Sequence, residues 1–199
     1  MRRRMQTVLA VAGIVLGSAL AGVAPASAEA SPAARHATSA SIPESVVTQL
    51  ESAVQQARKD GRSAAAPVVC YTVHIRDYGW QSPRCNSETA GSVGQNTPIE
   101  AILIQTAGTG GFCVNAHLQN TGWQGTRCGA DDVQVPAGST GQAVSVEALD
   151  INLGWTRGAN TGAQGHVQNY GWQAAQYRDW VRVGTTGENR TLEAVRIWP

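Results

Sequence analysis

One pattern, written three times, constrains this chain more than any other feature. His74, Gly79, Trp80 and Gln81 recur as His117, Gly122, Trp123 and Gln124, and again as His166, Gly171, Trp172 and Gln173, with His leading Trp by six positions each time. Further along each copy, Gly94, Gly141 and Gly187 precede Glu100, Glu147 and Glu193 by six residues, and an alanine follows each Glu. Two anchors in fixed order and spacing define three units, at about 68–106, 111–153 and 162–199. A unit of this size built from short strands cannot bury an apolar face alone, so the three must share one core. Successive His residues are 43 and then 49 positions apart, and the surplus falls in the loop from 154 to 162, which holds Trp155.

Within a unit the first segment alternates, with Tyr71, Val73 and Ile75 on one side and Thr72, His74 and Arg76 on the other, the period of a strand. The last segment alternates as well. Glu100, Ile102 and Ile104, then Glu147, Leu149 and Ile151, then Glu193, Val195 and Ile197 share a side, which this period turns toward the core. Glycines between these segments supply the permissive backbone of tight turns. The expectation is an all-β domain over 67–199, a three-repeat pseudo-threefold β-prism or β-trefoil-like fold. Solenoids need polar caps and usually more copies, and a three-bladed propeller would be unusually small.

The same register aligns the cysteines. Cys70 and Cys113 each stand four residues before His, and Cys85 and Cys128 each stand five after Trp. Equivalent positions predict equivalent disulfides, Cys70 with Cys85 and Cys113 with Cys128. The third copy has Gly162 and Tyr177 at these places and must do without. No Cys-x-x-Cys or paired metal-ligand spacing accompanies them, so their role is to stabilise.

Arg2, Arg3 and Arg4 precede an uncharged stretch from Val8 to Val23 and the small residues Ala26, Ser27 and Ala28, which reads as a signal peptide over 1–28. The stretch is short for a membrane span, and no later segment could cross a bilayer, so no membrane partner is expected after its removal. A secreted, extracellular destination suits disulfides. The formal net charge is only +1 and Lys59 is the one lysine, which leaves no cationic footprint for nucleic acid. Residues 29–66 form an extension, flexible at first and then helical near 42–60. There Ser41 and Glu44 have capping-box spacing and Val46, Leu50 and Val54 recur on one face. That stripe either packs on the β domain or awaits another protein, so Val46, Leu50 and Val54 are candidate binding residues.

Three histidines could converge on a threefold axis as a zinc site, but each also has a glutamate in its own copy. A pair within each copy, His74 with Glu100, His117 with Glu147 and His166 with Glu193, would satisfy two costly polar groups together and leaves no metal or cofactor to be expected. A hydrolase needs an asymmetric constellation, and no nucleophile elbow, His-Glu-x-x-His or phosphate loop occurs, so no enzyme is expected. Trp80, Trp123 and Trp172 admit two readings, wedges locked into the corner after each turn or flat platforms for sugars. Trp155, Tyr78, Tyr170, Tyr177 and Trp180 are not fixed across copies and are freer to serve recognition.

In the third copy, His166, Gln168, Asn169, Gly171, Trp172 and Gln173, followed by Gly184, Thr185, Thr186 and Gly187 and by the run from Leu192 to Ile197, resemble the clostridial hydrophobic repeat with a Trp, the ChW repeat. The resemblance covers all three copies, about 68–199, although the first replaces Gln-Asn by Arg76 and Asp77. It implies a secreted bacterial repeat that binds cell-surface, carbohydrate or protein ligands, with no catalytic residues to carry over. The plan of signal peptide, extension and one repeat domain is also similar to the small adaptors of secreted Streptomyces umbrella toxin particles, which join a lectin subunit to a toxin-bearing one. The expected function is a non-catalytic adaptor or scaffold with extracellular protein partners. A cell-wall or glycan-binding lectin-like module is the alternative, and an inhibitor whose extension plugs a cleft is a third.

Overall fold

A computed structural model describes residues 41–61, 66–154, 158 and 160–199. The signal segment and Trp155 lie outside the described residues. Among the described residues one helix precedes fifteen strands, five in each copy. Helix α1 is Glu44–Asp60. The first copy holds β1 (Val68–Ile75), β2 (Gly79–Trp80), β3 (Arg84–Cys85), β4 (Ala90–Gly91) and β5 (Ile99–Ala107). The second holds β6 (Phe112–Leu118), β7 (Gly122–Trp123), β8 (Arg127–Gly129), β9 (Val135–Gly138) and β10 (Val146–Leu153). The third holds β11 (Thr161–Val167), β12 (Gly171–Trp172), β13 (Gln176–Arg178), β14 (Val181–Gly184) and β15 (Leu192–Trp198).

These strands make three five-stranded antiparallel sheets, and no sheet belongs to one copy alone. The first sheet runs β2-β1-β5-β9, with β3 also on β1, so its edge is lent by the second copy. In the second sheet, β7-β6-β10-β14, the edge comes from the third copy; in the third, β12-β11-β15-β4, it comes from the first. The exchange is cyclic and closes a ring. Its last join pairs Ala90 and Gly91 with Val195 and Ala194. Tyr71 locks the same seam: its hydroxyl accepts the Ile197 N–H and donates to the Glu88 carbonyl. Burial pushes this phenol far above the usual tyrosine range, despite the bond from Ile197.

The apolar cluster that all three sheets enclose follows the alternation. Val69, Tyr71, Val73 and Ile75 of β1 point into it, as do Phe112, Val114, Ala116 and Leu118 of β6 and Ala163 and Val167 of β11. The closing strands add Ile99, Ile102 and Ile104, then Val146, Leu149 and Ile151, then Leu192, Val195 and Ile197. The all-β, three-repeat expectation therefore holds.

One detail of the period-two reading fails. Each closing strand carries a β-bulge between its first and third residues, so Ile99 faces Ile75 and Ala101 faces His74 while Glu100 is the extra residue. The same shift frees Glu147 and Glu193. The three glutamates thus leave the side of Ile102, Leu149 and Val195 and meet the histidines on the opposite face.

Both disulfides join the expected partners, Cys70 with Cys85 and Cys113 with Cys128, and suit an extracellular protein. Helix α1 starts at Glu44 rather than Ile42, with Pro43 at the N-cap and no side-chain cap bond, so the capping box is not formed. The Pro43 carbonyl instead accepts the Val46 and Val47 N–H groups. No described helix is long and apolar enough to cross a membrane.

Candidate functional site

Every sheet carries on its outer face the same unit of His, Glu and Trp. The hairpin turn after β1, β6 and β11 needs a left-handed residue, supplied by Asp77, Asn120 and Asn169, and then brings Trp back opposite His in register. The His Nδ1 atoms lie 3.1, 3.0 and 2.9 Å from Glu100, Glu147 and Glu193 Oε2. These contacts do not meet the alignment of an ideal hydrogen bond. Each His also meets its Trp edge-to-face, with centroids 5.5, 5.1 and 5.3 Å apart. Each histidine is therefore engaged within its own copy, on a different sheet.

The tryptophans stand directly after each turn, at the corner the wedge reading gives them, but on the outer face of each sheet. Trp80 and Trp172 are half-buried and Trp123 is 36% exposed, all outside the main apolar cluster, because a residue opposite His must share its outward face.

The glutamate backbone does a second task. The Glu100, Glu147 and Glu193 carbonyls accept the N–H of Ser139, Thr185 and Ser92, each from the copy that lends the edge strand. The preceding glycines touch these carbonyls so closely that a Cβ on Gly91, Gly138 or Gly184 would sit 2.2, 2.4 or 2.1 Å from the oxygen. Their φ of 107°, 98° and 92° demands glycine in any case. Gln124 and Gln173 clamp Gly138 and Gly184 with both amide atoms.

The three outer faces differ in one cross-strand row. On the first sheet the row is Thr72, Leu103 and Pro136; on the second, Asn115, Asp150 and Arg182; on the third, Gln164, Arg196 and Thr89. The apolar row carries the helix. Val46, Leu50 and Val54 pack with Val68, Cys70, Leu103 and Ala107, and Ile42 and Trp80 join from the side. Leu50 and Val54 are fully buried, so Val46, Leu50 and Val54 are corrected from candidate partner contacts to anchors on the chain's own sheet. The segment from Cys128 to Gly138, longer than its counterparts, flanks the helix. Arg58 pairs with Asp132 at 3.2 Å, and the Gln134 amide donates to the Val47 carbonyl at 3.0 Å. Leu103, at a position that is charged in the other copies, was the overlooked sign of this docking.

On the second face Arg182 and Asp150 form a two-pronged pair at 2.6 and 2.7 Å, which raises the arginine pKa above its ordinary value. The guanidinium lies 4.7 Å over Trp123. Beside it, Trp180 is 43% exposed and lines a shallow hollow of about 330 Å³ with Asp150, Arg178, Val181 and Arg182.

On the third face Arg196 lies 4.2 Å over Trp172, with Nε 2.8 Å from the Thr89 hydroxyl and Nη1 3.3 Å from Gln164 Oε1. None of these partners is charged. Where the other copies have a disulfide, Gly162 stands opposite Tyr177 and leaves room for the Trp198 indole, whose Nε1 would be 1.9 Å from any added Cβ. Tyr177 is 62% exposed. Trp198 and Arg196 line a hollow of about 630 Å³ with Asn86, Ser87 and Gln164. Tyr170 is also exposed, at the turn end, where its hydroxyl bonds Glu188 and Arg190 covers its ring. Trp198, like Trp155 and Trp180, is a tryptophan outside the repeated anchors, whereas nothing in the sequence marks Arg182 and Arg196.

The family model described as Clostridial hydrophobic W matches residues 74–108, 117–154 and 166–198, so it enters each copy at the histidine and leaves it at the end of the closing strand. No curated protein and no solved structure matches the chain.

Proposed function

The chain belongs to the clostridial hydrophobic W family, and from that premise we propose that it is a secreted, non-catalytic adaptor whose sheet faces dock other extracellular proteins. The observation that carries this reading is the unequal covering of equivalent faces. The first face is closed by the chain's own amphipathic helix, whereas the second uses the same scaffold and leaves Trp123, Trp180, Arg178 and Arg182 at the surface. Tryptophan and arginine are enriched among the residues that dominate the energetics of protein interfaces, the first through its large rigid apolar area and the second through its planar fork of hydrogen-bond donors. The matching plan of segments makes a subunit of a secreted toxin particle one such assembly. Three separate sheets around one cluster also support the prism form of the domain over the trefoil.

The test is pull-down from the medium of the producing cells with the tagged chain, followed by gel filtration. The adaptor reading expects a stoichiometric protein complex whose affinity falls about a hundredfold in Trp180→Ala, the size of a hot-spot loss. A chain that elutes alone, or a complex indifferent to Trp180→Ala and to Arg178→Ala, would overturn it.

A further inference from the structure

We infer that the outer face of the third sheet is a binding site for a carboxylated sugar, with Arg196 as its anion anchor and Trp198 as its stacking platform. This goes beyond the adaptor reading, uses a different face and can fail independently of it.

The second and third faces differ in charge along the cross-strand row. In the second sheet the arginine of that row has a carboxylate two-pronged against it, so the face is neutral by itself. In the third sheet the cation has moved to the closing strand and the carboxylate is gone. Among the described residues Arg196 has only the Thr89 hydroxyl, the Gln164 carbonyl oxygen and the Trp172 ring, and Nη2 makes no protein hydrogen bond. Three contacts fix the guanidinium without neutralising it. A cation held in this way against an aromatic ring is preorganised for a planar anion, and a carboxylate matches its fork.

The neighbouring groups decide what carries the carboxylate. Trp198 lies two residues on along β15, on the same face, seated in the space that Gly162 leaves open. An indole offers the apolar surface on which the C–H face of a pyranose stacks. The hollow beside it is lined by Asn86 and Ser87, whose amide NH2 and hydroxyl suit a sugar's hydroxyl groups, by Gln164, which is held between Arg196 and the Gln173 carbonyl, and by Pro67 and Pro199 at its rim. An apolar platform, converging hydrogen-bonding groups and one fixed cation describe a uronic-acid type of ligand. A protein's acidic side chain would use the cation and leave the polar lining idle.

The probe is glucuronic acid, titrated into the full chain without its signal segment and followed by the indole N–H signals and by calorimetry. Saturable binding that shifts the Trp198 indole signal is expected. Its methyl ester, which removes the charge and keeps the ring, and the variant Arg196→Gln should each weaken binding at least about tenfold, the cost of a lost charge-assisted pair. Trp198→Leu should weaken it too, and Asp150→Asn on the second sheet should leave it unchanged, with thermal melting used to confirm that each variant is folded. Equal binding of acid and ester, or binding indifferent to both Arg196→Gln and Trp198→Leu, overturns the inference. An acidic tripeptide that binds as well as glucuronic acid also overturns it and assigns the site to a protein ligand.

Discussion

The first and third copies meet at the seam of the ring, and they solve the same packing problem in different ways. Below Trp80, the first copy joins Cys70 to Cys85 and buries the bond under α1. Below Trp172, the third has Gly162 against Tyr177 and lays Trp198 over the gap. A covalent staple under an apolar helix makes a closed surface. A glycine under an indole makes an open one, with aromatic area and charge facing outward. The repeat thus keeps what holds the ring and varies what lies on its outer faces.

The largest effect should come from what the copies share. Gly138→Val places a branched side chain against the Glu100 carbonyl at a φ of 98°, so a loss of about 3 kcal/mol or more in denaturant unfolding is expected. Gly91 and Gly184 should respond alike, and a mild effect at any one would show that its edge strand is not gripped as the others are. Removing Cys70 and Cys85 together should cost about 3 kcal/mol, from a loop of 15 residues. The same change at Cys113 and Cys128 should cost less in the same assay, since no helix lies on that bond.

Asp131 gives a mid-sized effect. Its carboxylate is buried enough to raise its pKa, yet hydrogen bonds from the Gly110 N–H, the Thr109 and Thr106 hydroxyls and the Gly111 N–H outweigh that and hold it below the ordinary value. The stabilisation is present above the unfolded-state pKa of about 3.9 and is lost as pH falls through the lower folded value. Asp131→Asn, which replaces a charged acceptor of these hydrogen bonds by a neutral one, should cost about 1 to 2 kcal/mol at neutral pH after allowance for its partial exposure, a gap that narrows in acid when melting is followed against pH.

The smallest effect sharpens the contrast between copies. Gly162→Cys with Tyr177→Cys should fail to form a third disulfide under Trp198, as read by free-thiol labelling. Adding Trp198→Gln, which restores the residue type of Gln105 in the first copy, should let it form, with a net gain of only about 1 kcal/mol because the indole's packing is lost.

The repeat, its strands, both disulfides and the pairing of His with Glu were legible in the sequence because each lies within one copy, where spacing alone fixes the partner. The bulge was not. A count of two per strand has no term for an extra residue, so Glu100 was assigned to the side of Ile102. The lending of edge strands was hidden by the symmetry itself, since β9 suits the sheet of its own copy as well as that of its neighbour. On the third face the variable aromatics are legible as candidate contacts, but the part of Arg196 is not: it stands where the first copy has Leu103 and the second Asp150, and residue type alone does not show which charge lacks a counter-charge.

Cyclic exchange also sets a timetable. The first copy lends β4 to β15, which lies about a hundred residues further along the chain. Until residues 192–198 have been made, β4 has no strand to join, Tyr71 lacks the Ile197 N–H, and the second copy still waits for β14. The ring can therefore close only once β15 is present, and a chain stopped short of β15 leaves open edges exposed to other chains.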